Sequence, residues 1–259
     1  MLRACSIASG SKGNCLFVAS DKANILVDVG VDLKRLELSL KIVKSDIAKL
    51  DGVLITHTHS DHILGLATLC RKYGIPVFCH RAITEHVCNL VPRSIAVHSF
   101  EENSFYIQDI TVSPFLVQHD VHCVGYSLLS NTKQLSIATD MGQYTQGVLD
   151  AMSGSNLVFI ESNYDEDMLK NGNYPTHLKR RVMSDFGHLS NTDCGSVIAK
   201  LTNMGTRQFV LSHLSQNNNY PELAFSSIVD TLDSNGIVEG KDVVVEVAEQ
   251  HKLSSLFQL

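Results

Sequence analysis

The segment Thr56–His62 places three histidines and one aspartate between an apolar strand-like run and a helix-like run. An apolar core cannot take so many polar groups without partners, because each unpaired group would cost about 2–7 kcal/mol. His57 and His59 are two residues apart, so on an extended segment both side chains project to the same side. Asp61 and His62 follow at the start of the helix. From there their side chains can face the space into which His57 and His59 project, but from the opposite side. Imidazole nitrogen and carboxylate oxygen suit zinc, manganese or iron, so this pattern predicts a metal site between a strand and a helix.

The composition favours one globular domain. The chain has 259 residues, of which 44% are hydrophobic and 19% are charged, so it has enough apolar material for a sizeable core. We expect a single domain over 1–259, since no linker, repeat or low-complexity segment divides the chain. A net charge of −6 disfavours bulk electrostatic adhesion to nucleic acid or anionic membrane, but it leaves room for a local basic groove.

The seven cysteines are odd in number and form no Cys-x-x-Cys pair. This pattern indicates reduced thiols and a cytoplasmic protein. The chain starts directly in a strand-like run, without a charged leader and a long apolar stretch, so we expect no signal peptide. No window approaches 18 apolar residues, so we also expect no membrane span. The sequence leaves the oligomeric state open.

Strand-like and helix-like runs alternate along the chain. The strand-like runs are 2–8, 14–20, 23–29, 51–55, 75–79, the hairpin 104–117, 135–140, 156–161, 207–212 and 242–248. The helix-like runs are 32–44, 63–70 and 81–90. Two further helices are expected, one with Ser190 or Asn191 as its N-cap and one that begins at Pro221. Residues 251–259 are expected to form a loosely held tail.

Polar residues follow the strand-like runs at points from which they can reach the metal site. Asp28 ends the third run and can support the site from behind. His119 and His122 both follow the hairpin, and either could supply a third nitrogen beside His57 and His59. His119 comes directly after an apolar strand, which favours it, and the family resemblance described below weighs more in this choice.

Two later runs also end in residues that suit a metal. Asp140 precedes a glycine turn, where a lone aspartate is more often a helix N-cap. With the histidine-rich segment upstream, Asp140 becomes a candidate bridging carboxylate between two cations. His213 ends the last central run and can supply the remaining nitrogen of a second metal site.

Three features suit an anionic substrate. Glu161 ends a buried strand and His188 lies one turn before a helix, so the pair can protonate a departing alkoxide, with a structural hydrogen-bonded pair as the alternative. The basic cluster 179–181 either holds phosphates or forms a solvated helix face. The loop 9–14 offers backbone N–H groups and Lys12 to an anion, or it is an ordinary hairpin turn.

The segment Thr56–His62 resembles the metal-binding motif of the metallo-β-lactamase superfamily. This resemblance implies an α/β fold, namely a single-domain four-layer αβ/βα sandwich with a metal site at one edge. Five further stretches resemble the WalJ/YycJ/VicX family of bacterial metallo-hydrolases, which is related to the RNase Z branch: 10–14, 162–165, 178–181, 187–191 and 213–218. Tyr164 departs from that pattern, which has a histidine after Ser-Asn, and this departure concerns substrate contacts rather than metal ligands.

The resemblance implies two divalent metal ions, zinc or manganese, with iron as a further candidate. The implied ligands are His57, His59 and His119 for one ion, Asp61, His62 and His213 for the other, and Asp140 as the bridge. Such a pair lowers the pKa of a shared water and supplies hydroxide as the nucleophile, which Asp61 helps to orient. Glu161 and His188 would protonate the leaving group of a phosphodiester.

The implied activity is that of a DNA exonuclease, with DNA favoured over RNA as the nucleic acid partner. The expected substrate contacts are Lys12, Asn14, Asn163, Ser190 and Asn191. The alternative is a thioester or lactone hydrolase of the glyoxalase II kind, for which the Glu161/His188 pair would be idle. A diiron oxidoreductase is disfavoured, since His59 stands where those proteins usually carry a glutamate and no flavin domain follows.

Overall fold

Two seven-stranded sheets pack against each other in the computed structural model, which describes residues 1–259. The first sheet contains β1 (Arg3–Ala8), β2 (Cys15–Ala19), β3 (Asn24–Val27), β4 (Gly52–Ile55), β5 (Val77–His80), β6 (Val97–Phe100) and, beside β1, β14 (Phe257–Gln258). The second contains β7 (Phe105–Ile107), β8 (Ile110–Val117), β9 (Cys123–Ser130), β10 (Lys133–Ala138), β11 (Leu157–Glu161), β12 (Gln208–Ser212) and β13 (Val244–Val247). Their orders are β14-β1-β2-β3-β4-β5-β6 and β13-β12-β11-β10-β9-β8-β7.

Nine α-helices connect the strands. They are α1 (Leu33–Ile42), α2 (Ser60–Ile63), α3 (Leu66–Tyr73), α4 (Thr84–Leu90), α5 (Gln146–Met152), α6 (Glu166–Asn171), α7 (Thr176–Val182), α8 (Asn191–Asn203) and α9 (Pro221–Ser234). Helices α1, α3 and α4 cover the outer face of the first sheet, and α5, α8 and α9 cover that of the second. No helix combines the length and the apolar character that a membrane crossing requires.

The apolar side chains form three large buried clusters, of 26, 20 and 24 residues, and a small one of 3 residues. The three large clusters are the packed interfaces between four layers. The middle cluster lies between the sheets. Consecutive residues of a strand enter different clusters: Phe159 of β11 points between the sheets, whereas Ile160 packs against the helices. Both faces of the central strands are therefore buried, which explains their unbroken apolar runs. This is the four-layer αβ/βα sandwich expected from the sequence.

The helix expected at 63–70 is divided into α2 and α3. Gly65 separates them, and its N–H donates to the carbonyl of Val29 at 2.8 Å. A Cβ on this glycine would lie 2.1 Å from the carbonyl oxygen of Val31. The loop after β3 therefore packs directly against the histidine-rich segment. Gly30 makes a still closer approach, since a Cβ there would lie 1.7 Å from the carbonyl oxygen of Asp61.

The expectation of a loose tail over 251–259 is wrong. Ser254 N–H donates to Ser6 O at 2.9 Å, and β14 then pairs antiparallel with β1. The Phe257 ring packs edge-on against Phe159, with ring centroids 5.8 Å apart. The tail is ordered because it covers the otherwise open edge of β1 and contributes apolar side chains to the middle cluster.

Candidate metal centre

The chemically distinctive side chains meet where parallel strands of the two sheets end. Strands β3 and β4 run parallel in the first sheet, and β10, β11 and β12 run parallel in the second. Asp28, His57, Asp140 and His213 follow the ends of four of these strands, and Glu161 ends the fifth. Carboxyl ends of parallel strands lie at one edge of a sheet, so the two sheets bring these residues to a common rim.

The seven residues expected to be metal ligands lie together at this rim. The ligand atoms of His57, His59, His119 and Asp140 lie within 4.8 Å of one another, and so do those of Asp61, His62 and His213. Asp140 lies between the two groups. Its Oδ2 is 3.1 Å from Nε2 of His62, and its Oδ1 is 3.9 Å from Nε2 of His119. Oδ1 also lies 3.3 Å from Nδ1 of His213, so the carboxylate contacts residues of both groups, as a shared ligand requires.

The rival histidine, His122, does not join either group. Its ring stacks on His80, with centroids 4.0 Å apart, whereas His119 Nε2 lies 3.3 Å from Nδ1 of His59. The structure therefore supports the choice of His119. His80 also caps the short 3₁₀ turn that follows β5, by accepting a hydrogen bond from the backbone of Ala82.

Asp28 orients two of the histidines from behind. It accepts hydrogen bonds from the backbone and the hydroxyl of Thr56 at 2.9 and 2.7 Å, and its Oδ2 lies 2.7 Å from Nδ1 of His62. Because the Thr56 hydroxyl donates to Asp28, it accepts from Nδ1 of His57, which is 3.0 Å away. In both rings Nδ1 is engaged on the side away from the centre, so Nε2 is the nitrogen that faces it.

Two more histidines are oriented in the same way. His119 Nδ1 donates to the carbonyl of Gly187 at 3.0 Å, and His213 Nδ1 lies 2.9 Å from Oε1 of Glu161. Their Nε2 atoms are therefore free to act as ligands. The expectation from the sequence did not include these acceptors, because they come from segments far away in the chain.

The donor set fits divalent metal ions. Nε2 of His57 and Nε2 of His213 are fully buried and have no hydrogen-bond partner. Buried polar atoms are almost always paired, so two such nitrogens that face one cluster indicate a ligand there. Five imidazoles and two carboxylates, one of them shared, match the requirements of zinc, manganese or iron.

Burial and charge set the protonation states of this cluster. Burial lowers the pKa of His57 well below its usual value, which leaves the imidazole neutral. Burial alone would raise the pKa of Asp140, but His213, His62 and His57 hold it well below the usual range. Burial likewise opposes the charge on His62, yet Asp140 and Asp28 raise its pKa to about 10. A metal that binds His62 must therefore displace a proton.

Glu161 and His188 form the pair expected from the sequence. Glu161 is fully buried, and its Oε1 lies 2.7 Å from Nδ1 of His188. Its Oε2 accepts from the backbone of Met141 at 2.7 Å and of Leu189 at 3.3 Å. Burial raises the pKa of Glu161, but His188 and His213 outweigh it, so the pKa is lowered and the group is ionised. Glu161 therefore supports a metal ligand and a candidate proton donor together.

Four of the five expected substrate contacts are buried in the structure. Asn14 Nδ2 donates to Gly10 O at 3.1 Å and to Asp61 Oδ2 at 3.2 Å. Asn163 Nδ2 donates to the carbonyl of His213 at 2.8 Å. These amides support metal ligands, because buried loops beside the strand ends need side chains to satisfy their backbone groups.

Ser190 and Asn191 also serve the scaffold. Ser190 is the N-cap of α8 and accepts from the backbone of Asp193 at 3.1 Å. Asn191 accepts from the hydroxyl of Ser162 at 2.7 Å. Lys12 is exposed, and Asn163 lines a cavity beside the centre, so both remain candidate substrate contacts.

Two connected cavities open above the centre. The first has a volume of about 310 Å³ and no apolar lining residue; Asp61, Asp140, His188 and Arg181 contribute to its wall. The second, of about 150 Å³, adjoins it and shares His188, Arg181 and Ser11. His188, with 19% of its side chain exposed, therefore lies at the junction of both. A polar substrate can reach the centre through this opening.

Residues 23–214 match the family described as the Beta-lactamase superfamily domain. The chain is 36% identical to the exodeoxyribonuclease YycJ of Bacillus anthracis over 239 residues, which cover 91% of this chain and 90% of that protein. It is 33% identical to the exodeoxyribonuclease WalJ of Streptococcus pneumoniae over 245 residues, or 92% of this chain and 91% of the relative.

A solved structure agrees in fold. The metallo-β-lactamase fold protein YhfI of Bacillus subtilis superposes with a TM-score of 0.76 at 16% identity and covers 98% of this chain and 100% of its own. Together with the matched domain and the two relatives, this establishes that the chain is a metallo-β-lactamase fold protein of the family that includes YycJ and WalJ.

Proposed function

We propose that this protein is a dinuclear metal-dependent phosphodiesterase that acts as a DNA exonuclease. The observation that carries the proposal is the Glu161–His188 pair, held beside Asp140 at the junction of two cavities, one of which has no apolar lining residue. A leaving alkoxide needs such a proton donor, whereas a thiolate does not. The names of the relatives support DNA as the substrate.

The residues that would hold the metals are the seven expected from the sequence. His57, His59 and His119 would hold one ion, Asp61, His62 and His213 the other, and Asp140 both. When bound, two divalent ions lower the pKa of a water and polarise a phosphate oxygen. Zinc and manganese both suit these donors, and iron remains compatible.

The ligand set makes the loaded centre attractive to an anion. Asp61 and Asp140 supply two negative charges against the four positive charges of two divalent ions, so the centre keeps a net positive charge. The guanidinium of Arg181 lines the same cavity and adds to the positive potential. A phosphodiester is therefore favoured over a neutral ester.

The side chains of this protein position the nucleophile and the leaving group. Asp61 lines the cavity, and its Oδ2 lies 3.5 Å from Nε2 of both His62 and His213, where its carboxylate would accept a hydrogen bond from a water nucleophile and orient it. Glu161 accepts Nδ1–H of His188 and stabilises the imidazolium. The opposite nitrogen, Nε2, then gives its proton to the departing oxygen.

The free thiols suit a reducing compartment. Six of the seven cysteines are buried, and all seven are free. This supports the cytoplasm as the place in which the protein works.

The first test is a nuclease assay on end-labelled duplex DNA with added manganese. Asp140→Ala should abolish cleavage and lower the metal content, because it removes the ligand shared by both groups. The exposed Asp167→Ala is the matched control and should behave as the native chain. Two metals per chain in Asp140→Ala would refute the bridging role. Failure of the fully loaded native chain to cut DNA, with hydrolysis of a small thioester, would refute the proposed function.

The second test isolates the proton donor. His188→Ala should keep its metals and lose about 10²–10⁴-fold of the rate on DNA. The same variant should lose much less on bis(p-nitrophenyl) phosphate, whose leaving group departs without a proton. His177→Ala, an exposed histidine of α7, is the control. Equal losses on both substrates would remove His188 from the role of proton donor.

A further inference from the structure

The three residues of the basic cluster 179–181, at the end of α7, lie in three different environments. Lys179 Nζ donates to the carbonyl of Lys170 at 2.6 Å, which ties it to α6. Arg180 is exposed and makes no side-chain hydrogen bond. Arg181 lines both cavities above the metal centre. Of the three cations, Arg181 is the one directed at the site.

Arg181 is held in place by Asp120. Its Nε donates to Oδ2 of this carboxylate at 2.8 Å, and its Nη2 contacts the same oxygen. Both contacts converge on one carboxylate oxygen, so Asp120 and Arg181 form an ion pair.

The other oxygen of Asp120 faces the metal centre. Its Oδ1 lies 3.3 Å from Nε2 of His59 and 3.3 Å from Nε2 of His119. His59 presents its opposite nitrogen, Nδ1, toward His119, 3.3 Å away. Asp120 thus contacts the His59 nitrogen opposite the one directed at His119, as Asp28 contacts Nδ1 of His62.

We propose that Asp120 is a positioning residue shared by the metal centre and the substrate-binding surface. It holds His59 in the tautomer that presents Nδ1 to the metal, and it holds the guanidinium of Arg181 above the cavity, where that group binds a backbone phosphate of the DNA. The second half of this inference rests on the proposed function, whereas the first half concerns the metal site alone.

The chemistry of both partners supports a shared role. An imidazole that ligates through Nδ1 must carry its proton on Nε2, and a carboxylate oxygen 3.3 Å from that nitrogen favours this tautomer. Arginine has five N–H donors, and Asp120 engages the edge formed by Nε and Nη2. The remaining donors are free for a phosphate, and the side chain does not have to be ordered when DNA binds.

The metal arm of the test needs no DNA. Zinc affinity is measured by chelator competition for the native chain, Asp120→Ala, Asp120→Asn and Arg181→Ala. Asp120→Ala should weaken one of the two sites by about 10–100-fold. Asp120→Asn should recover most of this loss, because its amide oxygen still accepts from Nε2–H of His59. Arg181→Ala should leave zinc affinity near native. Native affinity at both sites in Asp120→Ala would overturn the proposed role at His59.

The DNA arm uses a fluorescent phosphorothioate duplex and anisotropy over a range of salt. Arg181→Ala should weaken binding and lower the slope of log Kd against log salt by about 1. Arg180→Ala, the adjacent exposed arginine, is the matched control and should have a smaller effect. Asp120→Asn should weaken binding severalfold, since the guanidinium is no longer held.

The outcomes separate this inference from the proposed function. Equal losses in Arg180→Ala and Arg181→Ala, or native binding by Asp120→Asn, would overturn the phosphate-positioning role. A native chain that binds the duplex but does not cleave natural DNA would refute the proposed function, while the zinc affinities would still decide the role of Asp120 at His59.

Discussion

Three residues of the metal centre have a left-handed backbone. Asp28, Asp140 and His213 have φ values of 59°, 57° and 54°. This region is uncommon for residues with a side chain and costs of order 1–3 kcal/mol for each strained position. Each of the three lies within two residues of the end of a central strand, where the chain must turn sharply while its side chain stays at the rim. Side-chain hydrogen bonds hold Asp28 and His213, and Asp140 contacts His62 and His213.

Removal of the Asp28 side chain tests how much the positioning of the metal ligands matters, because Asp28 is not itself a proposed ligand. Asp28→Ala leaves Thr56 and His62 without their buried acceptor. We expect a loss of about 3–5 kcal/mol in the free energy of unfolding of the metal-free chain. We also expect a roughly 10–100-fold weaker zinc affinity. Urea unfolding and chelator competition measure the two effects, with the exposed Asp230→Ala as control. An unchanged zinc affinity would contradict the positioning role.

Thiol reactivity gives a second test at this scale. Burial raises the pKa of six thiols, and that of Cys70 reaches about 11. Only Cys88 is exposed. At pH 8 the native chain should therefore react rapidly with a thiol reagent at one cysteine, and Cys88→Ser should abolish this phase. The reactivity of Cys70 should rise as the pH approaches 11, because the thiolate is the nucleophile. Rapid labelling of Cys88→Ser would show that the structure places the thiols incorrectly.

At the scale of elements, the short strand β14 contributes more to the stability of the fold than its length suggests. Phe257 is half-buried against the middle cluster, whereas Gln258 is exposed. Phe257→Ala should destabilise the chain by about 2 kcal/mol, roughly half the cost for a fully buried phenylalanine. Gln258→Ala should change stability by less than about 0.5 kcal/mol. Equal midpoints of urea unfolding for the two variants would mean that the tail is not packed as described.

The C-terminal segment also reaches the loop that supports Asp61. Gln250 accepts from the backbone of Lys12 at 3.1 Å and donates to the carbonyl of Gly13 at 3.1 Å. The next residue, Asn14, contacts Asp61. The loop 9–14 is therefore fixed from both sides and is part of the wall of the site. Its glycines serve close packing, as with Gly13, where a Cβ would lie 2.4 Å from the carbonyl oxygen of Gly30.

At the scale of the whole molecule, the metal centre joins the two sheets. His57, His59, Asp61 and His62 follow β4 of the first sheet, whereas His119, Asp140 and His213 follow strands of the second. Metals that bind this rim therefore link the two halves of the sandwich. Folding and metal binding should be coupled, since the unfolded chain has no assembled site.

This coupling can be measured by thermal unfolding. Zinc at a free concentration about 100 times its Kd should add about 2.7 kcal/mol for each independent site, and excess chelator should remove this gain. Asp140→Ala should show a much smaller rise in Tm with zinc. Circular dichroism suits the measurement, because the chain has no tryptophan. An identical zinc-dependent rise in Asp140→Ala would contradict binding at the shared carboxylate.

The sequence alone determined much of this protein. The segment Thr56–His62 and the polar residues at the ends of apolar runs, together with the family resemblance, predicted seven candidate ligands, and the structure brings them together at one rim. The sandwich and the pairing of Glu161 with His188 followed from the same features and from the family resemblance. Only the tertiary structure decided which groups support these residues. The contacts of Asp120 with Arg181, of Glu161 with His213 and of the tail with β1 join positions far apart in the chain. Such contacts depend on the order of the strands in each sheet and on which buried polar groups have lost their contact with water. Neither can be read from the spacing of residues along the chain.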